Sequence, residues 1–235
     1  MDAALYVTLT RQSGLMREMG VVANNIANSS TTGFRREGVV FSEHVAALNR
    51  DPSLSMAHAS GRHVDLRQAT LTMTGGAFDL AIQGDGFFLV QTPQGERLTR
   101  AGSFALNPEG ELVTPDNHRL LDAVGAPVIV PPDAKVTIAH DGTLSADGQP
   151  IAQIGLWRPA DPLALRHQSG TLFDGGALQP VEGGAIMQGM LEESNVEPMS
   201  EIARMIEVQR AYELGQKFLE AEDELVRSVV QTLGR

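Results

Sequence analysis

The sequence contains no cysteine. Disulfides, thiolate metal ligands and a cysteine nucleophile are excluded together. It also lacks any apolar run near the roughly 20 residues that a membrane-spanning helix needs. The opening stretch, MDAALYVTLTRQSGLMREMG, places Asp2 and two arginines, Arg11 and Arg17, where a signal peptide has other chemistry. With no basic start, compact apolar run or small-residue cleavage site, no Sec signal peptide is expected. Basic residues are outnumbered, 18 against 29 acidic, for a net charge of −11. That balance repels a phosphate backbone, so nucleic acid is not an expected partner. Aromatic residues make up 5%, with one Trp and two Tyr. Sugar-stacking platforms are not expected, and any core must rest on Leu, Ile, Val, Met and Ala.

What is present falls into zones. Leu5, Leu9, Gln12, Met16, Met19, Ala23 and Ile26 step by four and three, and all but Gln12 are apolar. This is an a/d seam on a helix. Met205, Val208, Tyr212, Gly215, Leu219, Glu222, Val226, Val229 and Leu233 repeat the spacing over four heptads. Asn195 or Glu197 suits the N-cap of that second helix, and Pro198 is tolerated in its first turn. Glu201 adds negative charge near its positive end. Seams at opposite ends of a chain can pair with each other, with another chain, or with both. An amphipathic helix laid on an ordinary core is the plainer alternative.

Between them, short apolar runs such as LAI, FFLV, RLT and ELV alternate with turn signals such as GDG, PQG, NPEG and TPDN. This pattern predicts an antiparallel β domain. The expected class is α+β: an N-terminal helix over 1–35, an extended linker over 36–74, the β domain over 75–185 and a C-terminal helix over 186–235. The two helices are expected to pack as a coiled-coil-like pair.

Candidate chemistry is thin. The stretch IQGDGFF has only G-x-G, lacks a P-loop lysine and leads into a strand, so Gly84 and Gly86 read as turn glycines. His58, His63 and Asp65 match no helical or hairpin metal-ligand spacing. His44, His118, His140 and His167 are scattered in polar surroundings and read as surface or loop residues. Asp79, Asp85 and Asp141 sit beside turns, and no G-x-S-x-G elbow occurs. No catalytic constellation, cofactor site or metal site is expected.

The stretch ANNIANSSTTGFRRE resembles the N-terminal signature of the bacterial flagellar rod and hook family, through Ala23, Asn24, Asn25, Ile26, Ala27, Asn28, Gly33, Phe34 and Arg35. The segment DLAIQGDGFFLV, with LTRAGSFALNPEGELVTPDNHRLL after it, is similar to the family's central strands. The C-terminal segment is similar through Gln188, Gly189, Leu191, Glu192, Ser194, Asn195, Val196, Met205, Ile206, Gln209 and Arg210. Length, the MDAALYV start and SNVEP lean toward the proximal-rod branch, with the distal rod as the near alternative. TPDNHRLL, where the family usually has a glycine turn, and Gly14 within the first helix depart from the pattern.

The resemblance implies a structural subunit rather than an enzyme. It implies terminal helices packed along the inside of a hollow tube, a β domain outside, and other rod subunits or further copies as partners. It implies passage through the flagellar type III export apparatus without a cleaved signal, no membrane insertion, and a place in the periplasmic rod of the basal body. The seam residues are the expected assembly interface, residues 28 to 33 are expected to stop the first helix and turn the chain outward, and the amides of Asn24, Asn25 and Asn28 are expected to satisfy backbone or neighbouring-subunit groups. A β-domain enzyme or carbohydrate-binding module with helical flanks, and an adaptor at the rod–hook junction, are the alternatives of another kind.

Overall fold

The computed structural model describes residues 2–46, 54–181 and 183–233. Two compact units emerge from the chain, one of residues 1–27, 37–63 and 197–235, the other of residues 28–36 and 64–196. These units do not follow the four-part division expected from the sequence. Residues 28–36 fold with the β unit rather than with the first helix, and the β unit runs to Val196 rather than to 185.

The helical unit holds α1 (Asp2–Ala27), the hairpin β1 (Glu37–Ala46) and β2 (Leu54–Val64), and α2 (Pro198–Leu233). The two helices are antiparallel: Gln12 of α1 bonds Tyr212 of α2, Glu18 bonds Arg204 and Asn25 bonds Glu201. α2 has 36 residues and α1 has 26. With Gln12 opposite Tyr212, the start of α1 falls opposite about residue 222, and α2 continues past it. Every described side chain from Asp223 to Thr232 is exposed. Glu197 occupies the N-cap position, its carbonyl accepting the first helical bond from Glu201 and its carboxylate bonding Ser200.

The β unit opens with β3 (Leu71–Met73) and β4 (Leu80–Gln83). Five strands of one sheet follow: β5 (Phe88–Thr92), β6 (Gly95–Thr99), β7 (Ala105–Leu106), β8 (Leu112–Val113) and β9 (Arg119–Leu120). Next come β10 (Val136–Ile138), β11 (Thr143–Ala146) and β12 (Gln149–Gln153), a three-stranded sheet of their own. The last strands are β13 (Trp157–Pro159), β14 (Arg166–Ser169), β15 (Leu172–Asp174), β16 (Leu178–Pro180), β17 (Ala185–Gln188) and β18 (Met190–Glu192). The main sheet has seven strands in the order β14-β15-β6-β5-β9-β8-β7. The strand-length runs LAI, FFLV, RLT and ELV fall on β4, β5, β6 and β8, so the α+β expectation holds.

Two apolar clusters close this unit. The larger gathers Leu80, Ile82, Phe88, Val90, Leu112, Leu120 and Ile186, and the smaller Phe87, Leu89, Leu98, Leu121 and Phe173. Strand alternation explains the division. Phe88 and Val90 of β5 face one side of the sheet, and Phe87 and Leu89 the other. Gly84 and Gly86, at φ +99° and +110°, turn the chain between β4 and β5. Only glycine adopts such angles without strain.

Candidate functional site

The N-terminal motif is built in two pieces. In the helical unit, α1 ends at Ala27, and Asn25 is fully buried near that end. Its Nδ2 donates to the Glu37 carbonyl (2.9 Å) and to Glu201 Oε2 (3.0 Å), and its Oδ1 accepts from the Glu37 N–H (3.0 Å). One amide thus mimics a strand partner for β1 while holding α2. Asn25 thus satisfies backbone groups, as expected for its amide, and each of its bonds removes a desolvation cost. Glu201 is buried against Asn25 and does more than complement the helix dipole. Farther along the pair, Arg204 donates to Glu18 at 2.7 Å, which raises the arginine's affinity for its proton.

The positions read as a seam are treated unequally. On α1, the stripe Gln12, Met19 and Ile26 is buried or half-buried. The alternate stripe is open: Leu9 is 49% exposed, Met16 51%, and Ala23 is exposed. Glu18, Val21, Val22 and Asn25 are buried in the second stripe's place. On α2, Met205, Tyr212 and Leu219 are half-buried and Val208 is only 3% exposed. Val226 and Val229 rise to 40% and 47%, beyond the reach of α1. The side chains of Leu5 and Leu233 lie outside the described residues.

In the β unit, the second half of the motif forms a turn. Asn28 and Thr31 bond each other through backbone and side chain, and Phe34 N–H returns to the Thr31 carbonyl. Gly33 has φ +72°, and its N–H donates to the Glu192 carbonyl at 2.8 Å. A Cβ there would run into the backbone of Arg100 and Ala101. Phe34 is fully buried and packs edge-on against His167, which in turn packs against Phe173. His167 is therefore not a surface histidine. Its strand β14 carries it onto the aromatic face.

Beneath this turn lies a buried charge cluster. Glu192 Oε1 accepts from Arg35 Nη2 (2.7 Å) and from the Ala69 N–H (2.9 Å), and Oε2 accepts from Arg100 Nη1 (3.0 Å). All three side chains are buried. Arg35 also donates to the Arg67 carbonyl, and Arg100 to the Gly84 carbonyl. Burial pushes the Arg100 guanidinium down to about 10, the like charge of Arg35 adds to this, and Glu192 restores part of it. Burying three charges is costly unless the lone pairs and protons are met, and here the bonds to backbone carbonyls and to Ala69 do much of that. Arg100 is the member that the sequence reading missed. It sits in a strand-like stretch with nothing local to mark it, and its partner lies 92 residues away.

The C-terminal motif supplies the other side. Ser194 Oγ accepts from the Val196 N–H, and Val196 is buried. Asn195 Oδ1 accepts from the Arg36 N–H, and Nδ2 donates to the carbonyls of Asp65 and Arg67. Asn24 is half-buried on α1, and Ala27, its last residue, is exposed. Asp79 and Asp141 are spent on turns, accepting from Thr74 and Thr143. Among the described residues no group of three or more His, Asp or Glu is gathered as a metal site.

Three family models match in chain order: flagella basal body rod protein over residues 5–35, flagellar hook protein FlgE/F/G D1 domain over 81–146, and flagellar basal body rod FlgEFG protein C-terminal over 187–232. A flagellar basal-body rod protein FlgF of Caulobacter vibrioides is 42% identical over 100% of this chain and 99% of its own length. The chain belongs to the flagellar basal-body rod family. A second FlgF, from Mesorhizobium japonicum, is 35% identical over 100% of this chain and 99% of its own. A flagellar basal-body rod protein FlgG of Bacillus subtilis is 31% identical over 97% of each chain. The rod-family matches at the two ends include Gly33, Phe34 and Arg35 on one side and Glu192, Asn195 and Val196 on the other. No helix among the described residues is long and apolar enough to cross a membrane.

Proposed function

We propose that this chain is a structural subunit of the bacterial flagellar basal-body rod, proximal rather than distal, that assembles with other rod subunits into a hollow helical drive shaft for motility. Full-length similarity to rod proteins named FlgF, at 42% and 35% identity, carries this reading. The 31% identity to a FlgG keeps the distal rod as the second reading. The family's role is structural, so no reaction or cofactor is assigned.

The helices are the assembly elements and line the inside of the tube, with the β domain outside. What supports this is the apolar surface they leave uncovered, at Leu9, Met16, Val226 and Val229. Delivery through the type III export apparatus, without a cleaved signal, belongs to the same proposal. The test is to delete the chromosomal copy, restore it with a tagged one, and map the tag in purified basal bodies by electron microscopy. Loss of motility on deletion, with density at the proximal rod, is the expected result. A tag confined to the hook-proximal rod would favour the distal reading, and wild-type swimming in the deletion strain would overturn both.

A further inference from the structure

The chain passes between its two compact units four times, at 27/28, 36/37, 63/64 and 196/197. On the β-unit side, three of these crossings meet at one side chain. Asn195 lies one residue inside the last crossing. Its Oδ1 accepts from the N–H of Arg36, the residue at the second crossing, at 2.6 Å. Its Nδ2 donates to the carbonyl of Asp65, one residue inside the third, at 2.9 Å, and to that of Arg67 at 3.0 Å. The backbone closes the ring: Asn195 N–H donates to the Phe34 carbonyl (3.3 Å), and Asp65 N–H to the Arg36 carbonyl (2.8 Å).

A primary amide suits this place because it offers an acceptor and two donors from one short side chain. Aspartate would keep the acceptor and set a carboxylate against two carbonyls. Alanine would remove all three bonds. Asn195 belongs to neither apolar cluster, so these changes leave the packing of the β unit in place.

We propose that Asn195 is a positioning residue for rod assembly, gathering the segments that enter β1, leave β2 and enter α2 at one fixed origin. The proposal rests on the rod-subunit reading for its assembly arm alone. Segments that leave from one ordered point bring less freedom to be lost when they join a neighbour.

The test uses the full chain with Asn195→Ala, Asn195→Asp and, as a control, Ser194→Ala. Amide hydrogen exchange of the dilute protein is read at Arg36 and Asp65, and at Val90 and Leu98 in the core strands. Loss of the clamp is expected to speed exchange by about tenfold at Arg36 and Asp65 in Asn195→Ala, and at Asp65 in Asn195→Asp, which keeps the acceptor for Arg36, with Val90 and Leu98 unchanged. Ser194→Ala is expected to match the wild type. Uniform acceleration across the β unit would make Asn195 an ordinary stability residue, and unchanged exchange at Arg36 and Asp65 in Asn195→Ala would mean it clamps nothing. Either result overturns the proposal. In cells, both variants are expected to lose their swimming halo at normal protein levels, and wild-type swimming would overturn the assembly role. Absence of the wild-type chain from basal bodies would instead defeat the rod reading, and the exchange result would still judge the clamp.

Discussion

The β unit and the helical unit differ in how much of their apolar surface they finish for themselves. The β unit encloses two clusters in which Phe88, Leu120 and Phe173 have no exposure at all. The helical unit buries Val21, Val22 and Val208 but leaves Leu214, Phe218, Leu225 and Val230 largely open. For so few buried apolar side chains, its buried connections are polar: Gln12, Glu18, Asn25 and Glu201 lie between its elements. The helical unit joins its elements by a few directed bonds and leaves apolar surface uncovered, which is the basis of the proposed assembly face.

The largest effect that would sharpen this contrast lies in the charge cluster. Glu192→Ala leaves the buried guanidiniums of Arg35 and Arg100 uncompensated and is expected to cost the β unit about 3–5 kcal/mol. Trp157 is the chain's only tryptophan and lies in the β unit, so its fluorescence during urea unfolding reports that unit. An unmoved midpoint would show that the cluster does not stabilise it.

Val208→Asp comes next. At 3% exposure it is the most buried apolar side chain of α2, and a carboxylate there is expected to cost the helix pair on the order of 3 kcal/mol. Helical circular dichroism should fall while the Trp157 transition stays in place. A joint shift of both would mean that the two units unfold as one.

A smaller effect is expected at Asp65, whose carboxylate is held below its ordinary 3.8, chiefly by hydrogen bonding to Arg67. A depressed carboxylate stabilises the fold above its ordinary value and loses that contribution as pH falls through the lowered one. Because Arg67 is largely exposed, Asp65→Asn is expected to cost only about 0.5 kcal/mol at neutral pH. Wild type and variant should converge in acid, and a gap that persists at low pH would remove the ion pair as its cause.

Val229→Asp is expected to change the free chain least, by under about 0.5 kcal/mol, since the side chain is already half exposed. Its effect should appear only as failed assembly and lost swimming. Normal rods would show that this face of α2 meets nothing.

The same contrast governs what could be read from the sequence. Strands and turns of the β unit were legible because alternation and glycine turns are local signals, as β4, β5, Gly84 and Gly86 show. Both helices were legible from their seams. Which stripe α1 turns inward was not. Leu9, Met16 and Ala23 carry the apolar pattern, yet the face in use is chosen by Asn25, Glu18 and Gln12, whose partners lie 176 to 200 residues away. The motif Asn25 to Phe34 was legible as a family signature and as a helix end. Its division between two units was not, because no local propensity says that Gly33 must fit against Ala101. Asn195 was visible as a motif residue and as a possible N-cap, and its role as a clamp depends on Arg36 and Asp65 being brought to it.

The bond from Arg35 to Glu192 joins residues 157 positions apart and lies at the heart of the β unit. Any process that delivers the chain end to end, from either terminus, must pass most of it before these two residues can meet. Until then Arg35, Arg100 and Glu192 stay in water, where each charge is well solvated and nothing drives the turn at Gly33 to close. Loop closure over such a span is slow compared with forming a hairpin such as β5–β6. The β unit is thus timed by its own topology: local hairpins can come and go during delivery, and the assembly locks only when the last fifth of the sequence begins to arrive.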